Sequence, residues 1–129
     1  GALYYDARPF ASAGKTLYIL LGIDYGNSII TRKIIDVLGF SQDGKPLLGF
    51  PVFASEKGLL NRVLFQYSSA AVMSLKFESN TMIVFDHLSP FSPEFTGNYR
   101  YYGPDFSFDS FNFEKGNWYL KQDIDIKNK

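Results

Sequence analysis

Apolar and polar residues alternate with a period of two along much of this chain. Residues 71–78 carry apolar side chains at every second position, and residues 118–126 do the same except at Gln122. Successive side chains of a strand point to opposite faces, so this spacing predicts strands with one buried face. Residues 81–86 follow the first segment after only Ser79-Asn80, which predicts a β-hairpin.

Further short apolar segments between turn residues are also typical of strands. The alternation changes phase within residues 106–113, so we expect a bulge near Asp109-Ser110. A tight turn at residues 115–117 then leads to Trp118. The segments that these patterns predict as strands are 3–6, 16–23, 34–40, 47–54, 61–67, 99–102 and 106–113.

Residues 27–40 fit two interpretations. Apolar residues from Ile30 to Leu38 have helical spacing, and Asn27 or Ser28 could cap a helix. The segment is, however, rich in β-branched residues, which favour a strand. We therefore predict a strand over residues 34–40, with a helical turn near Thr31 as the alternative.

Glycine and proline interrupt the chain about every ten residues, as in antiparallel β domains. Prolines make residues 88–96 a predicted loop, and Gly103-Pro104 a predicted turn. A length of 129 residues and a mass of 14.6 kDa fit one domain. The pattern predicts a single all-β antiparallel domain over residues 1–129, a sandwich or a partly open barrel of about nine to ten strands.

Composition excludes several classes of function. Thirteen basic residues balance thirteen acidic ones, which argues against nucleic acid as a partner. The chain has no Cys and one His, so it cannot form a disulfide, a thiolate or His-rich metal site, or a Cys nucleophile. The longest apolar run, residues 17–23, is too short for a transmembrane helix. We expect no cofactor and no metal.

The chain resembles an uncharacterised family of Bacteroidetes proteins over residues 18–128. The blocks that carry the resemblance include YILLGIDYGN, RVLFQYSSAAVMSLKF, MIVFDHLSP, YYGPDFSFDSF and KGNWYLKQDID. The family has no established activity, so the resemblance transfers no catalytic residue. It implies an exported bacterial protein, in the periplasm or at the cell surface, whose full-length form carries more chain before Gly1.

Side chains that could take part in catalysis or metal binding do not form a recognisable motif in this sequence. Neighbouring strand residues point to opposite faces, so Asp86 should not orient His87, and no nucleophile motif accompanies them. We expect Asp86 to accept backbone N–H bonds from the following loop, and His87 to pack or to bond a carbonyl. Asp123 and Asp125 lie about 7 Å apart on one strand face, where neighbouring lysines indicate a solvated surface. Neither these aspartates nor residues 24–27 match a calcium loop.

The aromatic residues are the most informative feature, at 18% of the chain. Rings exposed on a β surface can stack on sugars or anchor a partner protein. The candidates for ligand binding are Tyr99, Tyr101, Tyr102 and Trp118. We predict a non-enzymatic binding or structural domain that engages a protein or a glycan through them, a homodimer being a third use. The alternative is a hydrolase that uses the carboxylates of Asp86, Asp105 and Asp109.

Overall fold

The computed structural model describes residues 2–125. Within them the chain forms eleven strands and two short 3₁₀ turns, Pro93–Phe95 and Tyr99–Tyr101. The strands are β1 (Leu3–Ser12), β2 (Lys15–Asp24), β3 (Ile30–Phe40), β4 (Pro46–Leu48), β5 (Phe53–Ser55), β6 (Gly58–Leu60), β7 (Val63–Ser68), β8 (Leu75–Ser79), β9 (Met82–Pro90), β10 (Tyr102–Glu114) and β11 (Asn117–Lys121).

The strands build two sheets. The first has the order β1-β2-β3-β4, and β7 also pairs with β3. The second has the order β6-β5-β11-β10-β9-β8. Neighbouring strands are antiparallel, except that β11 runs parallel to β5. The two sheets therefore form an all-β sandwich, which confirms the predicted class and decides between its two forms. No helix within residues 2–125 is long and apolar enough to cross a membrane.

One apolar core lies between the sheets, and both sheets contribute to it. The first sheet supplies mainly aliphatic side chains, and the second supplies most of the aromatic ones. This division agrees with the alternation in the sequence, since alternate residues of each strand reach the core. The core residues with no more than 5% exposure include Leu17, Ile19, Leu21, Ile35 and Val37 from the first sheet, and Phe53, Leu75, Ile83, Phe85, Phe111 and Trp118 from the second.

Two hairpins and the ambiguous segment follow the predictions. β8 and β9 pair antiparallel around Ser79-Asn80, and β10 and β11 pair antiparallel across the turn at 115–116. Residues 30–40 form one strand, so the helical alternative near Thr31 is wrong. Asn27, the predicted helix cap, makes the hydrogen bonds expected of a cap although no helix follows. Its Oδ1 accepts the backbone N–H groups of Ile29 and Ile30 at 2.8 and 2.9 Å. These bonds form a turn that starts a strand.

The predicted strand over residues 47–54 is wrong, because the structure divides it between the two sheets. β4 ends at Leu48, and β5 begins at Phe53 in the other sheet. Gly49 has a φ of +94°, a conformation that glycine adopts without steric cost. Pro51 lacks an N–H group for a ladder bond. The chain therefore bends between the sheets at residues 49–52.

Several boundaries near the carboxyl end also differ from the predictions. β9 continues to Pro90, inside the predicted loop, and Pro104 lies within β10 rather than in a turn. The bulge falls between Pro104 and Phe108, not at Asp109-Ser110. The predicted strand over 118–126 ends at Lys121, and Asp123 has a φ of +55°. Ile126 lies outside the described residues.

Candidate functional site

The predicted tyrosine strand, residues 99–102, is instead a 3₁₀ turn followed by the first residue of β10. The Tyr101 N–H donates to the Asn98 carbonyl at 3.0 Å, which closes the turn. The Phe91 N–H donates to the Tyr101 carbonyl at 2.8 Å, so the turn is attached to the end of β9. The strand predicted from the alternation of Tyr99 and Tyr101 is therefore wrong, because the backbone of this segment forms hydrogen bonds within the turn.

Four aromatic rings pack in two pairs around this turn, and together with Phe91 we call them the aromatic segment. Phe95 stacks on Tyr101 at 4.3 Å between ring centroids, and Tyr99 lies 4.9 Å from Tyr102. Phe91 lies over Gly103, where a Cβ atom would come within 2.7 Å of the Phe91 ring. The stacks fix the rings before any ligand arrives.

Exposure differs among the members of the aromatic segment. Phe91 is 60% exposed and Tyr99 is 40% exposed, whereas Tyr101 and Tyr102 are half-buried. Tyr102 packs against the core and its hydroxyl accepts the Gly97 N–H at 2.9 Å. The outward surface is therefore made mainly by Phe91 and Tyr99, and Phe91 was absent from the predicted set.

Trp118 lies apart from the tyrosines, in the core. It is 1% exposed and packs edge-on against Phe10 at 5.8 Å and beside Phe113 at 5.3 Å. A ring that is covered in this way cannot stack on a ligand at the surface. The structure therefore brings together three of the four predicted binding residues and places the fourth inside the sandwich.

The most exposed aromatic residue, Phe106, was absent from the predicted binding set. It is 92% exposed and has a φ of +71° in the bulge of β10. The left-handed region is unfavourable for a non-glycine residue by about 1 kcal/mol, and such positions concentrate at functional sites. The pattern that paired it with Phe108 assumed a regular strand, which the bulge interrupts.

His87 lies opposite this bulge and forms a hydrogen bond with the Asp109 carboxylate. The ladder pairs Leu88 with Pro104 and resumes with Asp86 opposite Phe108, so His87 faces three residues of β10. His87 Nδ1 lies 2.6 Å from Asp109 Oδ2. Asp109 is 4% exposed, and its second oxygen accepts the Asp123 N–H at 3.0 Å. The partner of His87 is thus a carboxylate, so the expected carbonyl bond or simple packing is wrong.

The hydrogen bond that His87 donates to Asp109 raises the pKa of His87 above its ordinary value of 6.5, although burial opposes the shift. A raised folded-state pKa contributes stability that is present below pH 6.5 and is lost as the pH rises through the folded-state pKa.

We expect proton NMR of this single imidazole to give a pKa above 6.5, and Asp109→Asn to move it back toward 6.5. Asp43→Asn, in an exposed turn, should leave it unchanged. An Asp109→Asn variant with the wild-type imidazole pKa would contradict this assignment.

The carboxylates of the hydrolase alternative all bind protein groups. Asp86 accepts the Ser74 N–H at 2.7 Å, not an N–H of the loop that follows it. Asp105 accepts Ser89 Oγ at 2.9 Å and Ser107 Oγ at 2.6 Å. Burial alone would raise the pKa of Asp105, but these bonds hold it below its usual range. This arrangement suits an anionic structural group better than a proton donor.

Neither a catalytic triad nor a metal centre assembles from the described residues. The pair of His87 and Asp109 matches the base and orienting group of a triad, but no hydroxyl within residues 2–125 forms a hydrogen bond with His87 Nε2. No group of three or more His, Cys, Asp or Glu side chains there could hold a metal ion. Asp105, which lies inside the bulge, accepts hydrogen bonds from Ser89 of β9 and from Ser107, and so helps to hold the bulge.

No protein-family model, curated protein or solved structure matches this chain. The resemblance to the Bacteroidetes family therefore stays a prediction.

Proposed function

We propose that this chain is a non-catalytic binding domain that holds a protein partner through Phe106 and the aromatic segment. The observation that carries the proposal is Phe106, which is 92% exposed at a φ of +71°. Burying a phenylalanine side chain against a partner contributes about 2 kcal/mol, which exceeds the conformational cost of about 1 kcal/mol. Export from a bacterial cell, which the family resemblance implies, belongs to the same proposal.

The exposed groups of this surface lie close together along one pair of strands. Phe91 covers Gly103, Ser89 lies opposite Gly103 and bonds Asp105, and Phe106 follows directly. Three residues of strand span about 10 Å. An aromatic surface of this extent, next to a fixed polar group, has the composition of an interface centre.

A protein is favoured over a glycan by the chemistry of the exposed rings. The most exposed members, Phe106 and Phe91, have no hydroxyl group for a sugar, and they suit apolar anchoring in a pocket. The hydrolase alternative has less support, because its three aspartates already bind neighbouring groups.

The test uses panning of a random twelve-residue peptide library displayed on phage, with a glycan array in parallel. We expect enriched peptides to bind wild-type protein and to lose about thirtyfold in affinity with Phe106→Ser, since the lost contact is worth about 2 kcal/mol. The matched control is Phe40→Ser, an exposed phenylalanine of β3 outside this surface.

Three results would reject a protein partner at this surface. They are peptide binding that Phe106→Ser leaves intact, the absence of any enriched peptide, and glycan binding that depends on Tyr99 instead. Light scattering adds a separate readout, because a mass of twice 14.6 kDa that Phe106→Ser abolishes would identify the partner as a second copy.

A further inference from the structure

A cavity of about 400 Å³ opens between the first sheet and the loop at residues 69–73, away from the bulge of β10. The end of β2, the start of β3 and the end of β7 form one wall, and residues 69–73 form the other. Apolar groups at Ile23, Val72 and Met73 meet polar groups at Thr31, Lys33 and Tyr67. Concave sites with an apolar lining and a few convergent polar groups are typical of small-molecule binding.

Lys33 and Thr31 are polar residues on the core-facing side of β3. They share the side of Ile35 and Val37, both fully buried, because residues two apart on a strand face the same way. Alternation therefore places a cation and a hydroxyl on a side of β3 that is otherwise apolar. A polar side chain in such a position needs an explanation other than packing.

The Lys33 ammonium has no close ionic partner. No carboxylate within residues 2–125 lies within 4 Å of Nζ, which sits 5.4 Å from the centre of the Tyr5 ring. Burial lowers the pKa of Lys33, and the charge of Asp86 partly opposes this effect. Asp86 itself is bonded to Ser74. Lys33, which lines the cavity, thus carries a partly desolvated positive charge that no carboxylate of residues 2–125 contacts within 4 Å.

The Tyr67 hydroxyl is a second unused group at this site. Tyr67 is 2% exposed, lies opposite Thr31 in the β3–β7 register and lines the cavity. Its hydroxyl has no hydrogen-bond partner among the described residues, and it is not sealed from the cavity, because only Trp118 Nε1 is both unpaired and fully enclosed there. Burial raises the pKa of Tyr67, so the hydroxyl remains a donor. Thr31 Oγ1 and Ser69 Oγ lie 3.1 Å apart, one on each wall of the cavity.

We propose that this cavity binds a small organic carboxylate with an aliphatic tail. The carboxylate accepts hydrogen bonds from the Lys33 ammonium and the Tyr67 hydroxyl, and the tail packs on Ile23, Val72 and Met73. One ammonium matches one negative charge, whereas a phosphate dianion would leave a charge uncompensated in a partly desolvated site. This site is separate from the proposed partner surface and does not depend on it.

The probe is octanoate, measured by calorimetry and by amide NMR shifts at Thr31, Tyr67 and Met73. We expect octanoate to bind and to raise the melting temperature, and octanamide, its neutral isostere, to bind at least about tenfold more weakly. Lys33→Gln and Tyr67→Phe should each weaken octanoate about tenfold, because the first removes the cation and the second removes a donor to a charged acceptor. Lys76→Gln, an exposed lysine of β8, is the matched control and should bind as wild type.

The fold of the variants is checked separately. Lys33→Met removes a partly buried charge that lacks a close partner, so its melting temperature should equal or exceed that of wild type while octanoate binding is lost. Failure of octanoate to bind, equal binding of octanamide, or binding that Lys33→Gln leaves intact would each overturn the proposal. None of these results affects the peptide test of Phe106.

Discussion

Replacing Trp118 by alanine is expected to lower the free energy of unfolding by about 4 kcal/mol, the usual loss for a large aromatic core residue. Trp118 is 1% exposed and touches Phe10 and Phe113 edge-on or tilted. It also pairs with Phe53 across the parallel β5–β11 contact. Its removal therefore leaves a cavity at the junction of three strands, and we expect the melting temperature to fall by roughly 15 °C.

Trp118→Phe is the matched variant. Trp118 Nε1 is buried without a hydrogen-bond partner, so phenylalanine removes an unsatisfied donor and keeps an aromatic ring. We expect it to lose less than half of the stability that Trp118→Ala loses. Urea unfolding followed by circular dichroism measures both. A Trp118→Ala protein of wild-type stability would show that the ring is not a core group and would restore its predicted role as a binding residue.

Replacing Arg62 by alanine is expected to cost about 3 kcal/mol, because it removes the cation from a buried carboxylate. Asp36 has a fully buried side chain and receives Arg62 Nη2 at 2.9 Å and the Tyr4 hydroxyl at 2.6 Å. Burial and the bond to Asp36 raise the pKa of Tyr4 to about 12, so its hydroxyl keeps its proton. Tyr4 alone would remain to compensate the charge of Asp36.

Two further variants test this explanation by the same urea measurement. Arg32→Ala is the control, since Arg32 bonds the neutral Gln66 side chain at 3.1 Å, and it should cost less than about 1 kcal/mol. Adding Asp36→Asn to Arg62→Ala should recover part of the loss, because the amide carries no charge to desolvate. If the double variant is less stable than Arg62→Ala alone, the loss arises from packing and not from the unpaired charge.

The sequence was sufficient for the fold class because alternation is a local signal. It placed Met73, Leu75 and Phe77 on one face, and all three are buried. Alternation failed to predict the strand boundaries that depend on pairing between distant segments of the chain. The two halves of residues 47–54 have similar composition, yet they join different sheets, since the bend at Gly49 and Pro51 depends on what each half can pair with.

The candidate sites were less predictable, because their residues are distant in sequence. Tyrosine enrichment drew attention to residues 99–102, whereas the exposure of Phe91 and Phe106 depends on the β9–β10 register and its bulge. Asp36 looks like an ordinary solvent-facing strand residue until Tyr4 and Arg62 cover it. A signal for Lys33 was present, since it shares the parity of Ile35 and Val37. That Lys33 and Tyr67 line the same cavity is visible only in the folded structure.

The position of β11 has a consequence for biosynthesis. This strand lies inside the second sheet, between β5 and β10, yet it follows every other described strand in the order of synthesis. Until it emerges from the ribosome, β5 and β6 have only each other, and an isolated hairpin is marginally stable. β10 meanwhile presents an unpaired edge that other nascent chains can join. Completion of the second sheet therefore waits for β11, and aggregation in that interval competes with it.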